Sequence, residues 1–373
     1  MDGPQVLLGR APVTLLGKAI DRWFGRGEAS ITTPPMDGAF RPNDLLDSAA
    51  TILETPSPDC LAISSLGMLV SSDRSLFDVE KPGGAPVAAF DVEISALAGL
   101  PDGGVAVGLI DGRIVFLGGQ HGGKTIESRP EVKCITALAP ARDGTLLVAN
   151  GSAVNGPGAW KRDLMEKNAS GSVWRMEPAS GACNQLAGNL AYPYGLLEDA
   201  GSVVVSESWR SRLIRISPGG ARVVDELVLE DLPAYPSRLS RGADDAICLA
   251  LFAPRSQLVE FVLSEDRYRR RMISEINPDY WVAPSLRAGR TPLEPTQQGG
   301  VKQLGVLKPW SPNRSYGLVA RLDHAYRPIA SLHSRANGRR HGVTSCLTFD
   351  GRLYFCAKGD GIVASCALGG LTS

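Results

Sequence analysis

The chain lacks a net charge: its 39 basic and 39 acidic residues cancel. Without a field of one sign it has no long-range attraction for nucleic acid or for an anionic membrane surface, which argues against a polyanion-binding role. It also lacks long apolar runs. The opening MDGPQVLLGRAPVTLLGKAIDRWF holds no stretch long enough for a secretion signal or a membrane span, so the expectation is a cytoplasmic protein with no stable membrane insertion. The seven cysteines, at 60, 134, 183, 248, 346, 356 and 366, form no CxxC pair and are odd in number. That argues against a zinc knuckle and against a complete disulfide framework, and most of these thiols read as small buried hydrophobes. Oligomeric state leaves no signature in the sequence.

Glycine (42) and proline (26) are plentiful and 43% of residues are hydrophobic, the balance of a folded chain with many turns. One pattern recurs six times: DCLAISSLGMLVSS from Asp59, SALAGLPDGGVAVGLIDGRIVFL from Ser95, TALAPARDGTLLVANGS from Thr136, YGLLEDAGSVVVSESWRSRLIRI from Tyr194, SRLSRGADDAICLALFAPRSQLVEF from Ser237 and SCLTFDGRLYFCAKGDGIVASCAL from Ser345. Each copy reads as a short apolar strand, a turn carrying Gly or Asp, and a second strand rich in β-formers. The steps between Leu61, Leu97, Leu138, Leu196 and Leu239 are 36, 41, 58 and 43 residues, and Leu347 follows after 108. That period predicts an all-β, six-bladed β-propeller, its first and last inner strands side by side. In the last copy a two-residue turn at Asp350-Gly351 sets Ser345 opposite Cys356 and turns Cys346 to the other face of the sheet.

The long step reflects an insertion, 257–312, inside the propeller at 51–373. Its first part, QLVEFVLSEDRYRRRMISEI, has helical apolar spacing, and the rest is Pro- and Gly-rich. It reads either as a lid over the channel or as a packed structural element. A second long loop, NGSAVNGPGAWKRDLMEKNASGS, sits within the third blade and overhangs the channel beside it. Residues 1–50 read as an extension packing on the propeller, with Leu16, Ile20 and Trp23 near one helical face.

The motifs SGSVWRMEP, VVVSESWRSRLIRI, LEDLPAYPSRLSR, YGLVARLD and VTSCLTFDGRLYF resemble the strictosidine synthase-like proteins, relatives of the SMP-30/gluconolactonase and paraoxonase propellers. The resemblance covers most of the chain from about Ser57. It implies that the first residue of each inner strand faces a central channel holding a calcium ion or catalytic groups. The calcium-binding relatives place Glu, Asn, Asn and Asp at four such positions, which match Asp59, Thr136, Tyr194 and Ser237 here. A single carboxylate is too few for a cation that takes six to eight oxygens, so no metal and no cofactor are expected. The catalytic glutamate of strictosidine synthase matches Thr344, which cannot serve as a general base near neutral pH.

Two acid/base candidates remain. His341 sits at the channel mouth by the family match and reads as a catalytic acid/base or as a loop histidine beside two arginines. Glu207 reads as a general base or as the ion-pair partner of Arg210 or Arg212. Tyr194 and Trp209 supply an aromatic wall, and Asp59, Thr136, Ser237 and Thr344 complete a substrate-binding set. The expected function is a metal-independent hydrolase or lyase acting on a small organic molecule in the channel. The alternative is a non-catalytic propeller that binds a small molecule or a protein.

Overall fold

The computed structural model describes residues 33–217, 225–287, 302–303, 306–307 and 314–368. Six four-stranded antiparallel sheets form a six-bladed β-propeller. From the axis outward, the first three blades begin with inner strands Pro58–Ser64, Ile94–Gly99 and Ile135–Pro140, and the last three with Pro193–Asp199, Ala234–Arg241 and Val343–Phe349. The second strands VAVGL (Val105–Leu109), LLVAN (Leu146–Asn150) and ICLALFAP (Ile247–Pro254) are buried throughout, because sheets flank each on both faces. Farther out alternation returns, as in Arg113–Leu117 and Thr125–Glu127, where one face meets solvent. The six leucines that set the sequence period, Leu61, Leu97, Leu138, Leu196, Leu239 and Leu347, are all buried between blades.

Closure combines two contacts. The inner strands of the first and last blades touch, with Thr344 Oγ1 donating to Asp59 O at 2.8 Å and Ser345 Oγ accepting from the Leu61 N–H at 3.1 Å. In addition Ala50–Glu54, from ahead of the first blade, pairs with Ile362–Ala367 as the outermost strand of the last. The sequence reading had no strand there. The Ser345–Cys356 pairing predicted from the Asp350-Gly351 turn is present, Cys346 faces away toward Cys248 and Leu353, and all seven cysteines are free.

Residues 36–47 lie against the fifth blade: Asn43 Nδ2 donates to Ser331 O, and Leu46 is fully buried. The helix expected around Leu16, Ile20 and Trp23 lies outside the described residues. The insertion begins with α1 (Gln257–Ser264), capped by Ser256 accepting from the Val259 N–H, and α2 (Asp266–Glu275). It then crosses the propeller face with Trp281 buried against Met272 and Phe252 and against Leu164 and Met165 of α3 (Trp160–Met165), the short helix of the third-blade loop. Among the described residues no helix is long and apolar enough to cross a membrane.

Candidate functional site

All six inner strands break register at the same place. The shift lies between Pro58 and Leu61, Ile94 and Ala96, Ile135 and Ala137, Pro193 and Gly195, Pro236 and Leu239, and Val343 and Ser345. Each is a β-bulge, which inserts an unpaired residue and re-aims its side chain. The bulged residues Asp59, Ser95, Thr136, Tyr194 and Arg238 line one chamber at the end of the channel.

Arg238 occupies its centre. Nε donates to Thr136 O (3.1 Å), Nη1 to Asp59 O (3.0 Å) and Thr344 O (3.3 Å), and Nη2 to Ser95 O (2.7 Å) and Asp59 Oδ2 (3.1 Å). Those bonds use all five guanidinium N–H groups. The fourth blade supplies Tyr194, whose ring lies 5.0 Å from the guanidinium carbon. This one side chain therefore touches the other five blades from its place on the fifth.

Asp59 is buried between two cations. Besides Arg238, Lys358 Nζ lies 3.2 Å from Asp59 Oδ1 as an ion pair, and among the described residues it is the one group that engages that oxygen. Burial pushes the carboxyl up, yet the charges of Arg238 and Lys358 outweigh it and hold Asp59 down at about 2. Ser95 Oγ is likewise buried and unpartnered. Burial also raises the Tyr194 phenol well above its usual range.

The chamber has a volume of about 220 Å³. Trp160, Tyr192, Tyr194 and Phe252 give it an aromatic wall, and Leu286 of the insertion covers it. The cover fits closely because Gly359 has no side chain: a Cβ there would stand 1.9 Å from Leu286 O. A groove of about 730 Å³ between α3 and the insertion adjoins the chamber and shares Trp160, Leu286 and Lys358 with it. The insertion is thus both packed and part of the site.

The sequence-predicted site residues divide. Asp59, Thr136 and Tyr194 line the chamber. The Thr136 hydroxyl donates to Pro193 O (2.6 Å), and the Thr344 hydroxyl to Asp59 O, so both stitch neighbouring blades together. Ser237 does not reach the chamber; its hydroxyl donates to Ala250 O and Val343 O, because the bulge turns Arg238 inward instead. Trp209 stands behind the wall, stacked on Tyr192 at 4.4 Å with its indole N–H on Asp163 Oδ1.

Neither acid/base candidate reaches the chamber. His341 is buried with Nε2 donating to Arg335 O (2.8 Å) and Nδ1 accepting from the Ser315 hydroxyl (2.9 Å). Glu207 is fully buried, and its carboxylate accepts from the Ala191 N–H (2.7 Å), Arg210 and Arg212 (2.6 Å), which is its ion-pair reading. Arg238, Lys358 and Ser95 escaped the sequence reading. Nothing in the strand AYPSRLSR, which carries two arginines and two serines, marks Arg238 as the one that turns inward.

The calcium ion implied by the resemblance does not fit these residues. Four main-chain carbonyls and Oδ2 of Asp59, the buried carboxylate of the chamber, turn to the Arg238 guanidinium, which stands where those oxygens converge. Among the described residues no three His, Cys, Asp or Glu side chains cluster in a way that could hold a metal.

No family model matches the chain, and no curated protein matches it in sequence. Solved structures do resemble it in fold. One described as a putative gluconolactonase is 12% identical with a TM-score of 0.51, covering 85% of this chain and 90% of its own. Regucalcin from Agrobacterium tumefaciens, described as a calcium-binding protein, is 13% identical with a TM-score of 0.51 over 85% and 93%. A gluconolactonase from Xanthomonas campestris is 10% identical with a TM-score of 0.50 over 86% and 88%. The chain thus shares the six-bladed propeller fold of the SMP-30, gluconolactonase and regucalcin structures.

Proposed function

We propose that this chain takes up a compact organic molecule in the chamber at the end of its channel, and does so without a metal ion. The observation that carries this reading is an aromatic-walled space lined by Ser95, whose buried Oγ has no hydrogen-bond partner, and by the Asp59–Lys358 ion pair. A buried polar group without a partner costs about 1–3 kcal/mol, and a ligand that supplies partners recovers that cost. The volume is on the order of seven waters at about 30 Å³ each, which suits a small ligand.

Holding a ligand is better supported than turning one over. Arg238 spends its donors on the protein, and a carboxyl held near 2 is a weak base for chemistry near pH 7. The non-catalytic small-molecule propeller is therefore the first reading. The second is hydrolysis of a lactone or ester, the activity carried in the names of the gluconolactonase neighbours. Lys358 favours it, because an ammonium beside a half-closed chamber can stabilise charge developing on a carbonyl oxygen. A condensation of strictosidine synthase type lacks a base, since the hydroxyl at Thr344 is spent on Asp59 O.

A panel of carboxylic acids, lactones, esters and amine–aldehyde pairs, read for binding by calorimetry and for turnover by product formation, separates the readings. Binding without turnover, lost in Lys358→Gln, supports the first. Turnover that Lys358→Gln abolishes supports the second. Binding that Lys358→Gln leaves unchanged, or no binding by any compound, overturns both.

A further inference from the structure

We propose that the ligand of the chamber is a compact aromatic 2-hydroxy acid. The inference rests on reading the chamber as a small-molecule site and adds the chemistry of its occupant.

The charge comes first. Asp59, Arg238 and Lys358 together carry one positive charge, while Glu93, the other acid lining the chamber, is exposed at its rim, where water screens it. The surplus favours an anion. It is also aimed, because Arg238 has no donor left and the Lys358 side chain, 30% exposed, has Asp59 as its single partner among the described residues. An ammonium has three N–H groups, so two remain for a carboxylate.

Two buried oxygens come second: Ser95 Oγ, which has no hydrogen-bond partner, and Asp59 Oδ1, which has only the Lys358 ammonium. Asp59 Oδ1 can only accept, and Ser95 Oγ can donate or accept. The two residues stand at equivalent bulge positions on adjacent blades, and Nη2 of Arg238 ties them together through Asp59 Oδ2 and the Ser95 carbonyl. One ligand hydroxyl satisfies both, donating to Asp59 Oδ1 and accepting from the Ser95 hydroxyl. Lys358 touches that same Oδ1, so the ligand carboxylate must sit next to the ligand hydroxyl. A hydroxyl on the carbon bearing the carboxylate meets that requirement.

The wall comes third. Trp160, Tyr192, Tyr194 and Phe252 offer flat apolar surface where the rest of the ligand must lie, and a ring fills it with few rotatable bonds to freeze.

Mandelate is the probe, with three analogues that each lack one feature: phenylacetate has no hydroxyl, mandelamide no charge, and gluconate no ring. Calorimetry on the full chain should show mandelate binding about tenfold or more tighter than each analogue. Lys358→Gln should bring mandelate down to the level of mandelamide. Ser95→Ala should weaken mandelate while leaving phenylacetate unchanged, a pattern that general loss of folding would not produce. An analogue binding as tightly as mandelate overturns the corresponding feature and with it the assignment. If no acid binds but a lactone or ester does, in a manner lost in Lys358→Gln, the ligand class fails while the small-molecule reading stands. If nothing from either set binds, both fail.

Discussion

Replacing Arg238 with methionine keeps much of the side chain's length but removes its charge and its five donors. Asp59 Oδ2 and the carbonyls of Asp59, Ser95, Thr136 and Thr344 then lose their shared partner. Breaking a buried ion pair from one side costs about 3–5 kcal/mol, a large part of the roughly 5–15 kcal/mol that holds a domain folded. Urea denaturation at pH 7 should show a loss of that size. The pH dependence adds a second signature. In the folded chain Asp59 is held at about 2, below its ordinary value of 3.8. Its contribution is full above pH 3.8, amounts to about 2 kcal/mol, and is lost as pH falls toward 2. Without Arg238, burial is opposed by Lys358 alone and the folded value rises, so the variant gains relative to the wild type as Asp59 takes up a proton. The stability gap should therefore narrow between pH 7 and pH 3. A gap below about 1 kcal/mol at pH 7, or one independent of pH, would refute the reasoning.

Glu207→Gln should lower stability by about 1–3 kcal/mol in denaturation while leaving chamber affinity unchanged in calorimetry, because the carboxylate serves Arg210, Arg212 and the Ala191 amide rather than a ligand. A selective loss of turnover in this variant would restore its catalytic reading. Trp281→Ala should cost about 3–5 kcal/mol and weaken ligand binding as well, since this buried side chain anchors the insertion that carries Leu286 over the chamber. Denaturation and calorimetry on the same preparation check both effects, and unchanged affinity would show that the insertion is no part of the site.

The ring of blades was legible because the strand-turn-strand period is a local signal repeated along the chain. The hairpin register at Ser345 and Cys356 followed from a two-residue turn and the alternation of strand side chains. The closing strand Ala50–Glu54 was not, because its partner Ile362–Ala367 lies at the far end of the sequence and nothing local marks the pairing. The site was half legible. Asp59, Thr136 and Tyr194 were found because the family resemblance implies that the residue opening each inner strand faces the channel, and in the structure the bulge after Pro58, Ile135 and Pro193 turns them there. The same rule misplaced Ser237, since the bulge after Pro236 adds a residue and only backbone geometry decides that Arg238 turns inward. His341 and Glu207 drew attention as titratable groups, yet a sequence does not show that Ser315, Arg335, Arg210 and Arg212 already engage them. Lys358 comes from the loop after Ala357 and meets Asp59 only once the ring has closed.

The cation at the heart of this chamber is the protein's own Arg238. Calcium titration by calorimetry, with melting temperature followed as a chelator is added, tests it most directly. A site whose buried carboxylate is already paired to two cations should show no calcium binding of micromolar or better affinity and no change in melting temperature with chelator. A melting temperature that falls with chelator, recovers with calcium and loses both responses in Asp59→Ala would contradict the account.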